Sequence, residues 1–186
     1  MPLATKAIRS ARALALKILE EVFQEGAYSN LALKHGLAKS DLSQQDKALV
    51  TEIVYGTVAR KITLEWQLAH FIEDREKLEP WVYTLLLLSL YQLIYLNKIP
   101  HHAIVNEAVN LAKVRSQKGA DKLVNAVLRK LARGPLADPT AIKRKNKRYS
   151  VQYSLPVWLV KKTIEQYGED RAVKIFASLF IRNKAS

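Results

Sequence analysis

Apolar residues recur along this chain at spacings of three and four, the period of helices that bury one side. Residues 5–25 predict a first helix, with Ile8, Ala11, Ala15, Ile18, Leu19 and Val22 as its apolar stripe and Gly26 as its close. A short helix is expected after Ser29, capped there and ended by Gly36. Ser43-Gln-Gln-Asp46 resembles a capping box with Asp in place of Glu and starts the next helix. That helix turns Leu49, Val50, Ile53, Val54 and Val58 inward, with Gly56 either a weak point or a place where a neighbouring helix comes close. The phase changes near Arg60 and Lys61, which predicts a kink or break. Trp81 to Leu96 is apolar on almost every side, as in a helix surrounded by others. Pro80 suits its first position and Pro100 closes the segment. Two amphipathic helices follow, His102–Val114 and Ala120–Arg133, and Gly134-Pro135 stops the pattern. Beyond it come a turn-rich stretch, the run Lys143-Arg-Lys-Asn-Lys-Arg148, a helix capped by Ser154 and closed by Gly168, and a last helix over 169–182. The pattern is all-α: about seven helices over 1–134, a basic linker over 135–150 and two further helices in 151–186.

Charge sharpens this picture. The net charge is +13, and residues 113–148 hold twelve basic side chains against Asp121 and Asp138. Nucleic acid is the usual partner of such a field. Phosphate contact needs charge more than exact geometry, which makes Lys113, Lys118, Lys122 and Lys130 candidates. The run Lys143, Arg144, Lys145, Lys147, Arg148 is expected to repel itself, stay extended and add affinity independent of RNA sequence. Tyr149 and Tyr153 either stack on bases or pack against neighbours.

Other chemistry finds no residues. There is no cysteine, so no disulfide, zinc thiolate or cysteine nucleophile. The six glycines stand singly, with no Gly-x-Gly turn for a nucleotide-like cofactor. His101 and His102 are adjacent and diverge on a helix, and no metal site is expected. The apolar run Trp81–Leu96 is short of the roughly 20 residues that span a bilayer, so no membrane is expected.

Ile99-Pro-His-His-Ala-Ile-Val-Asn-Glu-Ala-Val-Asn-Leu-Ala-Lys113 and Lys122-Leu-Val-Asn-Ala-Val-Leu-Arg-Lys130 together resemble the signature of the NusB family, and the resemblance runs from about Ala7 to Arg133. It implies an all-helical RNA-binding domain. Ala11-Arg12 is similar to an element near the start of that fold where members bind RNA. Arg9 and Arg12 are therefore RNA contacts by resemblance, or ordinary arginines on a solvated face by pattern. Asn106 and Glu107 stand for RNA or partner contacts, or for structural roles at a helix start, where Asn ties down free N–H groups and Glu meets the positive end of the dipole. Asn125 is expected to bridge buried backbone to another helix.

The tail separates two branches of the family. Tyr153-Ser-Leu-Pro-Val-Trp-Leu-Val160, then Glu165-Gln-Tyr-Gly-Glu169, is similar to the segment joining a NusB-like domain to the catalytic part of RsmB (Sun/Fmu) type ribosomal RNA cytosine-5 methyltransferases. The resemblance implies a cytoplasmic piece of such an enzyme, itself without catalytic residues. Its partners would be ribosomal RNA and its own methyltransferase domain, and S-adenosylmethionine would serve the full-length protein. Two other readings remain: a transcription antitermination factor holding RNA and a ribosomal protein, or a module that only docks on a catalytic domain.

Overall fold

The computed structural model describes residues 10–116 and 119–180, and the chain divides into two compact units, Met1–Leu136 and Ala137–Ser186. Every regular element among the described residues is helical.

In the N-terminal unit, α1 (Ala11–Gln24) begins at Ser10, whose Oγ accepts the Ala13 N–H at 3.2 Å. Its buried face is Ala11, Ala15, Leu16, Ile18 and Leu19, and Gly26 closes the turn after it at φ +71°. Ile8 lies outside the described residues. Helix α2 (Ser29–Ala38) departs from expectation at both ends. Tyr28 precedes it with no side-chain cap, and Gly36 lies within the helix. A Cβ on Gly36 would sit 2.8 Å from Ile18 Cδ1, so this glycine serves close packing on α1.

Helix α3 (Gln44–Ala59) is capped by Ser43, whose Oγ accepts the Asp46 N–H at 3.1 Å. The Ser43 hydroxyl also donates to the Asp46 carboxylate at 2.9 Å. The chain breaks at Arg60, as the phase change predicts, and α4 (Lys61–Leu68) follows. Gly56 allows a close approach: a Cβ there would lie 1.9 Å from Tyr91 Cζ. The Tyr91 hydroxyl donates to Glu52 at 2.7 Å on the same helix.

Helix α5 (Pro80–Tyr95) is the centre of this unit, with twelve of its sixteen residues buried. α1, α3, α4, α6 (His101–Arg115) and α7 (Ala120–Arg133) all pack on it, and α6 and α7 pair with each other. Because α6 starts at His101, Asn106 and Glu107 are its sixth and seventh residues. Both lie past the first turn, so neither caps free N–H groups nor meets the strong end of the dipole.

The C-terminal unit holds three helices, α8 (Lys145–Tyr153), α9 (Val157–Tyr167) and α10 (Glu169–Ser178). The basic run is thus helical from Lys145 onward, where an extended strand of charge was expected. Lys145 Nζ pairs with Glu169 at 2.7 Å, and Tyr149 and Tyr153 stack with Phe176, which offsets the repulsion. Ser154 is in the left-handed region at φ 52° and ends α8, while Pro156 precedes α9. The core here is Val160, Ala172 and Phe176. Residues 181–186, including the expected end of the last helix, lie outside the described ones.

Candidate nucleic-acid interface

The amphipathic pattern of α7 sets out its charge. Val124, Val127, Leu128 and Leu131 are buried. At about 100° per residue, Lys122, Arg129 and Arg133 then fall on the opposite, exposed side, with Lys130 beside them. This row runs about 16 Å along the helix. Arg129 Nε donates to Asn125 Oδ1 at 2.9 Å, one turn back. Asn125 therefore steadies a cation of its own helix, and among the described residues no bond from it to another helix is present, where a bridge is expected. Lys113 is exposed on α6. Arg9 and Lys118 lie outside the described residues.

Arg12 is held differently. Its Nε donates to Gln92 Oε1 at 2.7 Å, and Gln92, itself 1% exposed, donates to the Leu88 carbonyl at 3.0 Å. Burial lowers the Arg12 pKa, and the nearby Glu107 and Asp46 carboxylates oppose that shift. Arg12 thus ties α1 to α5. Gln92, on an otherwise apolar helix, is the sequence signal for this arrangement. Arg115 is likewise engaged, bidentate on Glu20 at 2.6 and 2.7 Å and 4.8 Å from the Trp81 ring centre.

The basic run of the C-terminal unit splits into two groups. Lys143, Arg144 and Lys147 are exposed. Lys145 is paired with Glu169, and Arg148 donates to the Ile142 carbonyl at 3.5 Å while lying over the Tyr149 ring. The Glu169 carboxyl is held below its ordinary pKa by the hydrogen bonds from Lys145 and Tyr149. Tyr149 and Tyr153 belong to the aromatic cluster around Phe176. Trp158, absent from the sequence candidates, is 65% exposed. Its spacing of two from buried Val160 is the signal that places it on the opposite face.

Clefts open on the N-terminal unit, among them one of about 280 Å³ lined by Phe71, Glu73 and Lys130 and two larger ones. One of about 410 Å³, beside the start of α1, carries Lys17 and Lys39. The other, of about 580 Å³, holds charges already matched to each other: Glu65 lies 3.3 Å from Lys61 and 3.5 Å from Arg75. Burial and Glu65 push the Tyr83 hydroxyl there up to about 12. Among the described residues no group of three or more His, Cys, Asp or Glu is placed to hold a metal, and no helix is long and apolar enough to cross a membrane.

Known proteins match this arrangement at two lengths. A probable ribosomal RNA small subunit methyltransferase B of Bacillus subtilis (strain 168) is 45% identical over 166 residues, 89% of this chain and 37% of that protein. Its namesake from Synechocystis (strain PCC 6803) is 36% identical over 86% of this chain and 36% of that protein. The chain thus spans little more than a third of these relatives. The transcription antitermination protein NusB of Alcanivorax borkumensis is 30% identical over 71% of this chain and 89% of its own length. The crystal structure of PH0851 shares the fold, with a TM-score of 0.71 at 16% identity, over 99% of this chain and 40% of that one. The NusB family model matches residues 9–133, a stretch that takes in α1 through α7, and the chain belongs to the NusB family.

Proposed function

We propose that this chain is the RNA-binding part of a cytoplasmic protein that methylates cytosine at position 5 in small-subunit ribosomal RNA. The observation that carries the proposal is the extent of the match. The Bacillus subtilis methyltransferase aligns over 166 residues, more than the 136 of the N-terminal unit, so its likeness continues into the C-terminal unit. The row Lys122, Arg129, Lys130 and Arg133 and the group Lys143, Arg144 and Lys147 supply phosphate contacts, each worth counterion release rather than base reading. Lys113 adds to the first group, and Arg12 holds α1 against α5 through Gln92. Arg9 and Lys118 join on charge alone.

S-adenosylmethionine does not fit the residues present. The glycines stand singly, and the described residues carry no strand from which a Gly-rich turn could lead into a helix. No step of methyl transfer is assigned to this chain, and the cofactor and the catalytic domain belong to the remaining length of the relatives. The antitermination reading has the shorter match behind it, 71% of the chain. Mapping 5-methylcytosine in small-subunit ribosomal RNA, from cells with and without the gene encoding this chain, decides between them. Loss of a methylated position supports the proposal. Unchanged methylation with altered transcript length hands the chain to antitermination.

A further inference from the structure

Trp158 stands on the wrong side of its helix for a core residue. Val160 on α9 is 0% exposed and packs with Ala172 and Phe176. Trp158, two residues earlier, turns about 200° away from it and is 65% exposed. Several other rings lie against a cation, while Tyr28, at 77%, is more exposed still. Arg115 lies over Trp81, Arg75 over Tyr83, Arg60 over Tyr95 and Arg148 over Tyr149. No cation or ring covers Trp158 among the described residues. A single exposed aromatic is ordinary by itself, so the case for a contact rests on what surrounds it.

The neighbours of the ring indicate what it contacts. Lys161 and Lys162, three and four residues on, lie on the same face of α9 and are exposed. Lys161 is 3.9 Å from Glu165, and Lys162 has no ion-pair partner among the described residues. Lysine is depleted at the centre of protein–protein interfaces, whereas aromatic faces beside cations are how single-stranded nucleic acids are held. The surrounding unit carries eleven basic and four acidic residues.

We infer that Trp158 is a stacking platform for an unpaired base of RNA, with Lys162 on the adjoining phosphate. The inference rests on the RNA-binding function proposed above and adds the class of RNA: a base in a duplex is already stacked and hidden, so this site takes single strands. The site is tolerant of sequence, because every base offers a flat face.

The test uses the whole 186-residue chain, an unstructured oligoribonucleotide and a duplex of the same sequence. Trp158 fluorescence is isolated as the difference between the wild type and Trp158→Phe, with Trp66 and Trp81 common to both. The single strand is expected to quench that difference signal. Trp158→Ala is expected to weaken single-strand binding at least about fivefold, leave duplex binding unchanged and leave the circular dichroism melt where it was, while Trp158→Phe retains most of the affinity. If the chain binds RNA with Trp158 unquenched and Trp158→Ala without effect, the inference is overturned, the RNA-binding function stands, and the ring belongs to a protein surface. If the chain binds no RNA at all, both fall.

Discussion

The two units differ in what they do with apolar surface and with charge. Among the described residues the N-terminal unit gathers thirty buried apolar residues in one cluster, and the C-terminal unit gathers three. Residues 1–136 carry nineteen basic and thirteen acidic side chains, and residues 137–186 carry eleven and four. In the larger unit several cations are engaged internally: Arg12 on Gln92, Arg115 on Glu20, Lys61 and Arg75 on Glu65. In the smaller one Lys145 is tied to Glu169, while Lys143, Arg144 and Lys147 face water. A fold with an ample core has room to hold charge against itself. A fold of about 50 residues buries little surface and adds polar cross-ties to its small core, while exposed cations remain on both units, Lys143, Arg144 and Lys147 here and Lys122, Lys130 and Arg133 on α7.

The comparison breaks first at Leu88. Leu88→Asp places an unpaired charge where exposure is 0%, in the middle of α5. The expected loss exceeds about 4 kcal/mol and abolishes the cooperative melt of the N-terminal unit, read by circular dichroism. A melting temperature within a few degrees of wild type would move the centre of that core elsewhere.

A smaller effect is expected from removing the free charges of the C-terminal unit. Lys143→Gln, Arg144→Gln and Lys147→Gln together flatten the salt dependence of RNA binding by about two units, at about 0.7 per phosphate on a single strand. Lys145→Gln leaves the slope nearly as it was, since that lysine is held by Glu169. Equal effects from Lys145 and from Lys147, measured by anisotropy over a range of salt, would erase the distinction between tied and free cations.

The smallest effect is that of pH on the tie itself. Glu169 is held below its ordinary pKa by Lys145 and Tyr149, so its contribution is complete above the unfolded value and is lost as pH falls through the folded one. Hydrogen-exchange protection in α8 and α10, taken relative to the intrinsic rate at each pH, is expected to fall as neutral solution is acidified, and Glu169→Gln to remove that dependence. Protection that does not change with acid would mean that the aromatic cluster alone holds the unit.

These contrasts were unevenly legible. Pro80 and Pro100 bracket α5 in the sequence, Ser43 marks the start of α3, and the phase change at Arg60 marks a break, because each acts through its own backbone or nearest neighbours. Gly36 misled for the opposite reason, since it answers to Ile18 on another helix. Ser154 closes α8 in the left-handed region, its N–H on the Ser150 carbonyl, where a cap for the next helix is expected. The run from Lys143 reads as extended so long as Glu169, 24 residues beyond Lys145, is out of sight. Among candidate site residues, Lys122, Lys130, Lys143, Arg144 and Lys147 are exposed. Arg12 and Asn125 are redefined by partners that composition does not show.

An apolar cylinder has no preferred rotation. α5 buries side chains all round, and its leucines alone would leave many angular settings about the axis close in energy. Two bonds to other helices remove that degeneracy: the Tyr91 hydroxyl on Glu52 and Gln92 on Arg12, each at 2.7 Å. Turning the helix by one residue would strip both at once and leave Gln92 Oε1 unsatisfied in the interior. The leucines make α5 stay inside, and these two bonds decide which way it points.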